Sequence, residues 1–314
     1  MDVVKQLPPE AEVARRRRPL PTVLRVVRGP YALRRWAVVS LVMNIFIVVT
    51  GGLVRLTGSG LGCPTWPRCT EGSYVSHPQL GIHGAIEFGN RLFTLLLVIA
   101  AALTFVSALL YREDGRPRSD LRWLTAGLAL GIPLQGVIGG IAVLTQLNPY
   151  VVGLHLLLSM ILISLAVWLV RKTWQFSPTD ASGLSVAATR VTFVLMWLAV
   201  WLGTLVTGSG PHAGDENAPR NGIDGLLLTR LHTSVVYATV AASVVCFLLL
   251  RSRAVLLLLL VELVQVGIGV AQYQLGLPTW LVALHLLGAS LAIATVTNLM
   301  LSVTHTRALM PGNQ

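Results

Sequence analysis

Charged side chains are scarce in this sequence. Asp, Glu, Lys and Arg make up 12% of its 314 residues, whereas soluble domains carry about 25%. Hydrophobic residues make up 54%, and the mean hydropathy is +0.70. The scarcity argues against an ordinary soluble domain and favours a protein embedded in a membrane.

Polar interruptions are too few to break up eight long apolar stretches. Each is long enough to cross a bilayer, which takes roughly 20 residues of helix. In lipid the backbone must satisfy its own hydrogen bonds, so a helical bundle is expected. The sequence therefore predicts an all-α integral membrane protein with eight transmembrane helices, at about 36–54, 84–111, 122–145, 150–170, 190–208, 230–250, 254–274 and 279–301.

Acidic residues are fewer than basic ones, and most of the basic residues lie on one predicted side of the membrane. The chain has 24 Lys and Arg against 13 Asp and Glu, a net charge of +11. Of the 24, 19 fall in the first 35 residues, in alternate connections between spans and in the tail. This distribution favours anionic lipid over nucleic acid, and the positive-inside rule puts both termini in the cytoplasm. We expect the plasma membrane as the location. No apolar region with a cleavage site follows the basic start, so we expect no cleaved signal peptide.

The spans and charges predict five segments. They are a basic cytoplasmic arm (1–35), a first four-helix half (36–170), a cytoplasmic linker (171–189), a second half (190–302) and a cytoplasmic tail (303–314).

Cysteine is also rare, with three residues in the chain. Cys63 and Cys69 lie in an extracytoplasmic segment, residues 55–83, which we call the Cys loop. A disulfide is favoured there because such bonds persist outside the cytoplasm. Two free thiols, or half of a metal site completed by His77 and His83, remain alternatives. Cys246, within a span, is interpreted as a small packing residue.

The chain contains an internal duplication. The stretch from Gln135 to His155 aligns without a gap with the stretch from Gln265 to His285, at an offset of 130 residues, and TGSG occurs at 57–60 and 207–210. Because four spans are an even number, both copies point the same way. We therefore expect two parallel-repeat four-helix bundles related by a pseudo-two-fold along the membrane normal.

The repeat places histidines at matching depths. His155, His232 and His285 all lie near the predicted outer ends of even-numbered spans, and Asn90 occupies the fourth position. A single intramembrane histidine can be a hydrogen-bonded packing residue. Two at equal depth in the second half, His232 and His285, favour axial ligation of a haem. Zinc is disfavoured because no cysteine or acidic ligand joins them at that depth.

One carboxylate appears in a single copy. His83, Glu87, Asn90 and Arg91 share roughly one helical face, and Thr229 stands where the second half would repeat Glu87. This asymmetry suggests that one half holds a fixed cofactor and the other performs chemistry. A plain Glu87–Arg91 ion pair is the simpler interpretation, and the two are compatible.

Over residues 36–302 the chain resembles the haem A synthase family. The resemblance rests on GGLVRLTGSGLGCPTWPRC at 51–69, on the E-x-x-[HN]-R pattern of Glu87 to Arg91, on the histidines of the even spans and on the duplication. It implies oxidation of the C8 methyl of haem O to the formyl group of haem A, through hydroxylated intermediates, for assembly of an aa3-type cytochrome oxidase.

The resemblance also implies residue roles. His232 and His285 fall on the axial ligand positions of a haem b, and His155 falls on a ligand position for the substrate haem. Glu87 falls on the catalytic carboxylate. Cys63 and Cys69 fall on an outward cysteine pair that forms a disulfide in some members and is connected with haem acquisition.

Asn90 departs from the family pattern, since many members have a histidine there. Asparagine is a poor iron ligand, so His155 alone holds the substrate haem, Asn90 bonds an iron-bound water, or His83 substitutes. Arg55 and Arg91 are candidates to pair with haem propionates, or else anchor helix ends.

Smaller features complete the expectations. An acidic loop at 208–229 is expected to cap a haem pocket, with His212 exposed to solvent. Gln135 and Gln265 are expected to bond between helices or to support a haem site. Glu262 is expected near the cytoplasmic end of its span, as a packed polar residue.

A dihaem electron-transfer cytochrome and a transporter are the competing functions. The first would use the same histidines without Glu87, and the second lacks broken helices with paired charges. Haem O, membrane lipid and the enzyme that makes haem O are the partners considered. The electron acceptor, the oxygen source and a homo-oligomer stay open.

Overall fold

The computed structural model describes residues 26–305. The first 25 residues of the predicted basic arm, and residues 306–314 of the tail, lie outside the described residues. Within 26–305 the structure has eight helices that are long and apolar enough to cross a membrane. They are α1 Pro30–Leu56, α2 Gly81–Leu110, α3 Ser119–Leu144, α4 Pro149–Thr173, α5 Gly183–Ser209, α6 Gly225–Leu250, α7 Arg253–Gln274 and α8 Thr279–Met300.

The predicted eight-span architecture is confirmed, but several helices are longer than their apolar stretches. The helix α1 begins at Pro30, so the predicted arm loses its last residues to the helix. A proline at the first helical position suits this start because its missing N–H needs no partner there. The helix α5 begins at Gly183 rather than 190, where Ser182 accepts a hydrogen bond from the Ser185 amide. Such a cap starts a helix before the apolar run does.

Short strands fasten the connections. A hairpin of β1 Arg112–Glu113 and β2 Arg116–Pro117 joins α2 to α3. A parallel pair of β3 Thr179–Asp180 and β4 Val303–Thr304 ties the linker between the halves to the segment after α8. A 3-10 turn, Pro78–Leu80, precedes α2.

The helices form a ring in each half. In the first half α1 contacts α2 and α4, and α3 contacts α2 and α4; in the second half α5 contacts α6 and α8, and α7 contacts α6 and α8. The halves meet where α8 contacts α1 and α4, and where α4 contacts α5. An axis that exchanges α1 with α5 and α4 with α8 maps this set of contacts onto itself. The contacts therefore agree with the two-fold repeat, which itself stays a prediction.

Candidate functional site

A cavity of about 600 Å³ is lined by residues of all eight helices, the Cys loop and the acidic loop. Cofactor and ligand pockets commonly measure about 300–1,000 Å³. The sequence suggested one site in each half. The structure joins them, because Glu87 and His155 of the first half line the same cavity as His232 and His285 of the second.

The imidazoles of His232 and His285 lie close together in this cavity, in an edge-to-face arrangement. Their ring centres are 6.5 Å apart and the rings are inclined by 78°. Nδ1 of His232 lies 2.9 Å from the carbonyl oxygen of Ala199 on α5. As a donor to that carbonyl, Nδ1 would leave Nε2 as the nitrogen with a free lone pair, which is how ligating histidines are commonly oriented.

The spacing of the two rings fits a haem iron. Imidazoles on opposite faces of one iron have ring centres about 6 Å apart, because each nitrogen lies about 2 Å from the metal and roughly 1 Å from its ring centre. Within residues 26–305 no group of three or more His, Cys, Asp or Glu side chains is arranged to hold a metal ion directly. A porphyrin supplies the equatorial ligands itself, so two histidines suffice for it.

His155 lines the cavity from α4, and its Nδ1 is buried with no partner among the described residues. Each of the three histidines packs against a glycine of the preceding helix. An added Cβ would lie 3.3–3.5 Å from the ring Cε1 atom in the pairs Gly139–His155, Gly203–His232 and Gly269–His285. These glycines give the rings room beside the backbone. Gly139 and Gly269 occupy matching positions in the repeat, so the sequence already contained a sign that the next helix packs closely there.

Glu87 is held on two sides. It is buried, with 5% of its surface exposed. The Cys63 amide donates a hydrogen bond to Oε2 at 2.7 Å, and the guanidinium of Arg91 donates to Oε1 at 2.5 and 3.2 Å. The i, i+4 ion pair predicted from the sequence is present, and a loop backbone that the sequence did not reveal completes the site.

Arg91 also ties the Cys loop to α2. Its guanidinium donates to the carbonyl oxygens of Cys63, Thr65 and Arg68 at 3.1–3.2 Å. With these bonds and the Glu87 pair, Arg91 anchors the loop. Pairing of Arg91 with a haem propionate stays a prediction.

Cys63 and Cys69 form a disulfide, and both are fully buried. Of the alternatives considered from the sequence, the structure has the disulfide. It closes a short loop whose first residue, Cys63, supplies the amide that binds Glu87. The disulfide therefore constrains the backbone donor of the carboxylate.

The Cys loop places Trp66 and Pro67 in the cavity wall. The Trp66 indole lies directly against Gly140 of α3, where an added Cβ would overlap the ring. Gly140 has Val270 as its repeat counterpart, so the glycine is specific to the first half. That difference was visible in the sequence and marks the close approach of the loop.

The structure separates Asn90 from His83. Asn90 lines the cavity, and its Oδ1 lies 2.8 Å from the Thr50 hydroxyl. His83 is exposed, lies outside the cavity lining, and its Nδ1 is 2.9 Å from Ser59 Oγ. His83, one helical turn before Glu87, thus lies at the loop surface, and the idea that it replaces the family histidine stays a prediction.

Arg55 fastens the acidic loop. Its guanidinium donates to the carbonyl oxygens of His212 at 2.6 Å and Thr207 at 3.0 Å. His212 lines the cavity and its Nε2 lies 2.9 Å from the Leu277 carbonyl oxygen, so the expectation that it is solvent-exposed is wrong. The Gly60 amide donates to Gly214 O at 2.9 Å, which joins the two outer loops over the cavity.

The repeated glutamines also line the cavity. Nε2 of Gln135 donates to the carbonyl oxygen of His155 at 3.0 Å and contacts Ser159 Oγ at 2.5 Å. Gln265 packs against Gly288, where an added Cβ would overlap its amide. Gln135 thus links α3 to α4 beside a histidine, which unites the two roles considered for it.

Fold and cavity together define an eight-helix integral membrane protein whose two halves enclose one histidine-lined chamber. A family model described as "Cytochrome oxidase assembly protein" matches residues 34–80 and 82–220. The chain belongs to this family, COX15-CtaA.

Relatives named "Heme A synthase" share part of the chain. The protein of Listeria welshimeri is 29% identical over 182 residues, which are 55% of this chain and 58% of the relative. Those of Geobacillus thermodenitrificans and Geobacillus kaustophilus are 30% and 31% identical over 115 residues, about a third of each chain. The matched part therefore spans between 34% and 58% of the relatives' length.

The family match contains the cysteine pair, Glu87, Asn90, Arg91 and His155, but ends before His232 and His285. The case for His232 and His285 as haem ligands therefore rests on the internal repeat and on the geometry of their rings.

Proposed function

We propose that the protein is a haem A synthase, an oxidoreductase. It oxidises the C8 methyl of haem O to the formyl group of haem A through hydroxylated intermediates, for assembly of an aa3-type oxidase. The family, the relatives' names and the cavity support this function.

One observation carries the proposal. Glu87 is a buried carboxylate fixed by Arg91 and by the Cys63 amide, in the cavity that also contains His155. A dihaem electron carrier has no use for such a group. A reaction that removes protons from a substrate carbon does.

His232 and His285 would hold a haem b, and their 6.5 Å ring separation supports this role. A haem held there would supply a one-electron redox centre for the oxidation. His155 would bind the iron of the substrate haem in the first half. Asn90, fixed by Thr50, would offer a polar group rather than a ligand on the opposite side.

Glu87 supplies the acid–base function. Its oxygens keep lone pairs beyond the bonds from Arg91 and Cys63, so the carboxylate can accept a proton from the oxidised methyl group or stabilise positive charge at that carbon. Arg91 balances the negative charge of Glu87 before the proton is taken up and again once it has been released. Positioned acid–base groups contribute typically about 10²–10⁴-fold to rate.

The two outer loops orient the substrate and exclude water. Trp66 packs on Gly140 at one wall, and Arg55 holds the acidic loop at another. Buried, fixed hydrogen bonds act more strongly in such an enclosed site than in water. Arg55 and Arg91 keep this wall in place.

The setting of the enzyme is part of the proposal. The charge distribution supports a plasma-membrane protein with both termini in the cytoplasm and the Cys loop outside. The contacts between halves support the parallel repeat. The enzyme that makes haem O would supply the substrate.

The test is a pigment analysis. The chain is expressed in cells that make haem O but no haem A, and the extracted haems are separated by chromatography and identified by mass. We expect haem A or its alcohol precursor. Haem B alone, with haem O available and the protein folded, would contradict the proposal and support an electron-transfer cytochrome.

A further inference from the structure

A second buried carboxylate lies in the cavity, and the proposed reaction does not use it. Glu262 stands nine residues into α7, roughly 13 Å from its start at the helical rise of about 1.5 Å per residue. Only 4% of its surface is exposed, and it lines the same cavity as His232 and His285. Glu262 therefore lies well inside α7, and which end of that helix faces the cytoplasm stays a prediction.

Glu262 lacks the cation that Glu87 has. Ser243 Oγ of α6 donates to Oε1 at 2.8 Å, while Oε2 is buried with no partner in the described part of the chain. Among residues 26–305 no basic side chain forms an ion pair with it. A permanent, unpaired negative charge in such a place is expensive, and ionisable groups kept inside membranes commonly serve transport of protons or ions.

The internal repeat shows that packing does not require these polar groups. At the offset of 130 residues, Glu262 corresponds to Ile132. The helices α2 and α6 are aligned by matching Asn90 with His232. This alignment pairs Ser243 with Ala101, and Thr239 with Leu97. All three counterparts belong to the buried apolar core of the first half. The second half thus replaces three buried apolar side chains by a carboxyl and two hydroxyls.

Other polar side chains continue from this cluster toward the linker end of the bundle. Cys246 lies one helical turn beyond Ser243 and is fully buried. Its sulfur lies 3.4 Å from the Thr192 hydroxyl and 4.0 Å from that of Thr189. Both threonines are fully buried in α5. The cluster therefore has polar neighbours on its inner side and the cavity on the other.

The titratable groups around Glu262 are few. The helices packed against α7 are α6 and α8. From α6, His232 lines the cavity and Cys246 is buried, whereas Arg230 and Tyr237 are exposed. From α8, His285 is the titratable residue, and it lines the cavity.

We propose that Glu262 is a proton-exchange site of the second half: its carboxylate takes up one proton when the haem held by His232 and His285 gains one electron, and releases that proton when the electron leaves. The added electron cancels a positive charge at the iron, so the neutral acid becomes more favourable for a buried carboxyl that lines the same cavity. In the enzyme the electron comes from the substrate haem, and in a titration from a chemical reductant. The inference rests on the proposed function only in requiring a haem at those two histidines.

The test is a redox titration of the purified, haem-loaded full chain at several pH values. In wild type the midpoint potential should fall as pH rises, by up to about 59 mV for each tenfold change in proton concentration over part of the range. Glu262→Gln keeps the size of the side chain and its bond to Ser243 but should flatten this dependence. Glu262→Asp should restore a slope, and Glu71→Gln, which changes an exposed carboxyl of the Cys loop, should leave it unchanged.

Infrared difference spectra between the reduced and oxidised protein give a second readout. We expect a carboxylic-acid carbonyl band that depends on the redox state and is absent in Glu262→Gln. An unchanged pH slope and an unchanged band in that variant would overturn the proposal, and so would a protein that binds no haem. Loss of the slope in a protein that makes no haem A would support this inference while contradicting the proposed enzyme activity.

Discussion

The two halves bury one carboxylate each and treat it differently. Glu87 in the first half is paired with Arg91 and bonded by a loop amide. Glu262 in the second half has one serine as its partner within the described residues. Because its charge is balanced by a cation and both of its oxygens accept hydrogen bonds, the Glu87 carboxylate is fixed in position. An uncompensated carboxylate is suited to gaining and losing a proton.

The outer loops of the two halves also differ in the contacts that hold them. The Cys loop is closed by a disulfide, pushes Trp66 onto Gly140 and reaches down to Glu87. The acidic loop has no cysteine; Arg55 donates to its His212 carbonyl oxygen, and its own Asn221 donates to the Leu205 carbonyl oxygen of α5. On the proposed function, the two halves share one helical scaffold, and the loops and single buried residues would give them separate roles.

The largest expected effect comes from removing the charge of Glu87. Glu87→Gln preserves the shape of the side chain but removes the proton acceptor, so we expect at least about a 100-fold loss of product formation. The bound haem B should remain. Product and bound pigment are both measured by chromatography, with Glu71→Gln, which changes an exposed carboxyl of the Cys loop, as the control. Activity of Glu87→Gln within a few-fold of wild type would contradict a catalytic role for Glu87, and with it the proposed difference between the halves.

The Arg91 pair is expected to matter for stability as well. Arg91→Leu leaves Glu87 buried without its cation and frees three loop carbonyls; breaking such a pair costs about 3–5 kcal/mol when it is well buried. Since Arg91 is partly exposed, we expect a loss near the lower end, seen as a lower thermal transition in detergent. Arg116→Ala, in the exposed turn between α2 and α3, is the matched control and should not lower it.

The disulfide should have a moderate effect. The double variant Cys63→Ser, Cys69→Ser frees a loop of six-residue separation, for which chain entropy predicts about 2 kcal/mol. We also expect a several-fold fall in product formation, because the Cys63 amide is then less firmly placed against Glu87. A fall in stability with unchanged turnover would separate the disulfide from the carboxylate.

The smallest effect is expected from the wall of the cavity. Gly140→Ala places a methyl group where the Trp66 indole lies, and overpacking of this kind costs about 1–3 kcal/mol. Gly127→Ala on the same helix meets no atom within 4 Å and is the control. A change in thermal stability and turnover in the first variant alone would support Trp66 as part of the wall. Equal behaviour of the two variants would contradict it.

Much of the fold followed from the sequence because lipid imposes a simple rule on apolar runs. Eight spans and their order were predicted, and the i, i+4 relation gave the Glu87–Arg91 pair. Helix ends were missed where capping groups extend a helix beyond its apolar run, as Ser182 does for α5.

The missing parts of the site depend on contacts between distant segments. The Cys63 amide on Glu87, the Arg55 bond to His212 and the Trp66–Gly140 contact all require the loops to fold over the bundle. Spacing along the chain carries no information about them. That Glu262 has no acidic counterpart in the repeat can be read from the sequence, since Ile132 stands at the matching position, whereas its bond to Ser243 required the structure.

The division of labour between the halves is the central claim, and pigment analysis of three purified proteins tests it most directly. Wild type, His155→Ala and His285→Ala are expressed where haem O is made, and the bound haems are extracted and quantified. We predict that His285→Ala loses haem B while His155→Ala keeps haem B and loses haem O or haem A. Loss of the same pigment from both variants, or of none from either, would contradict the assignment of one haem to each half.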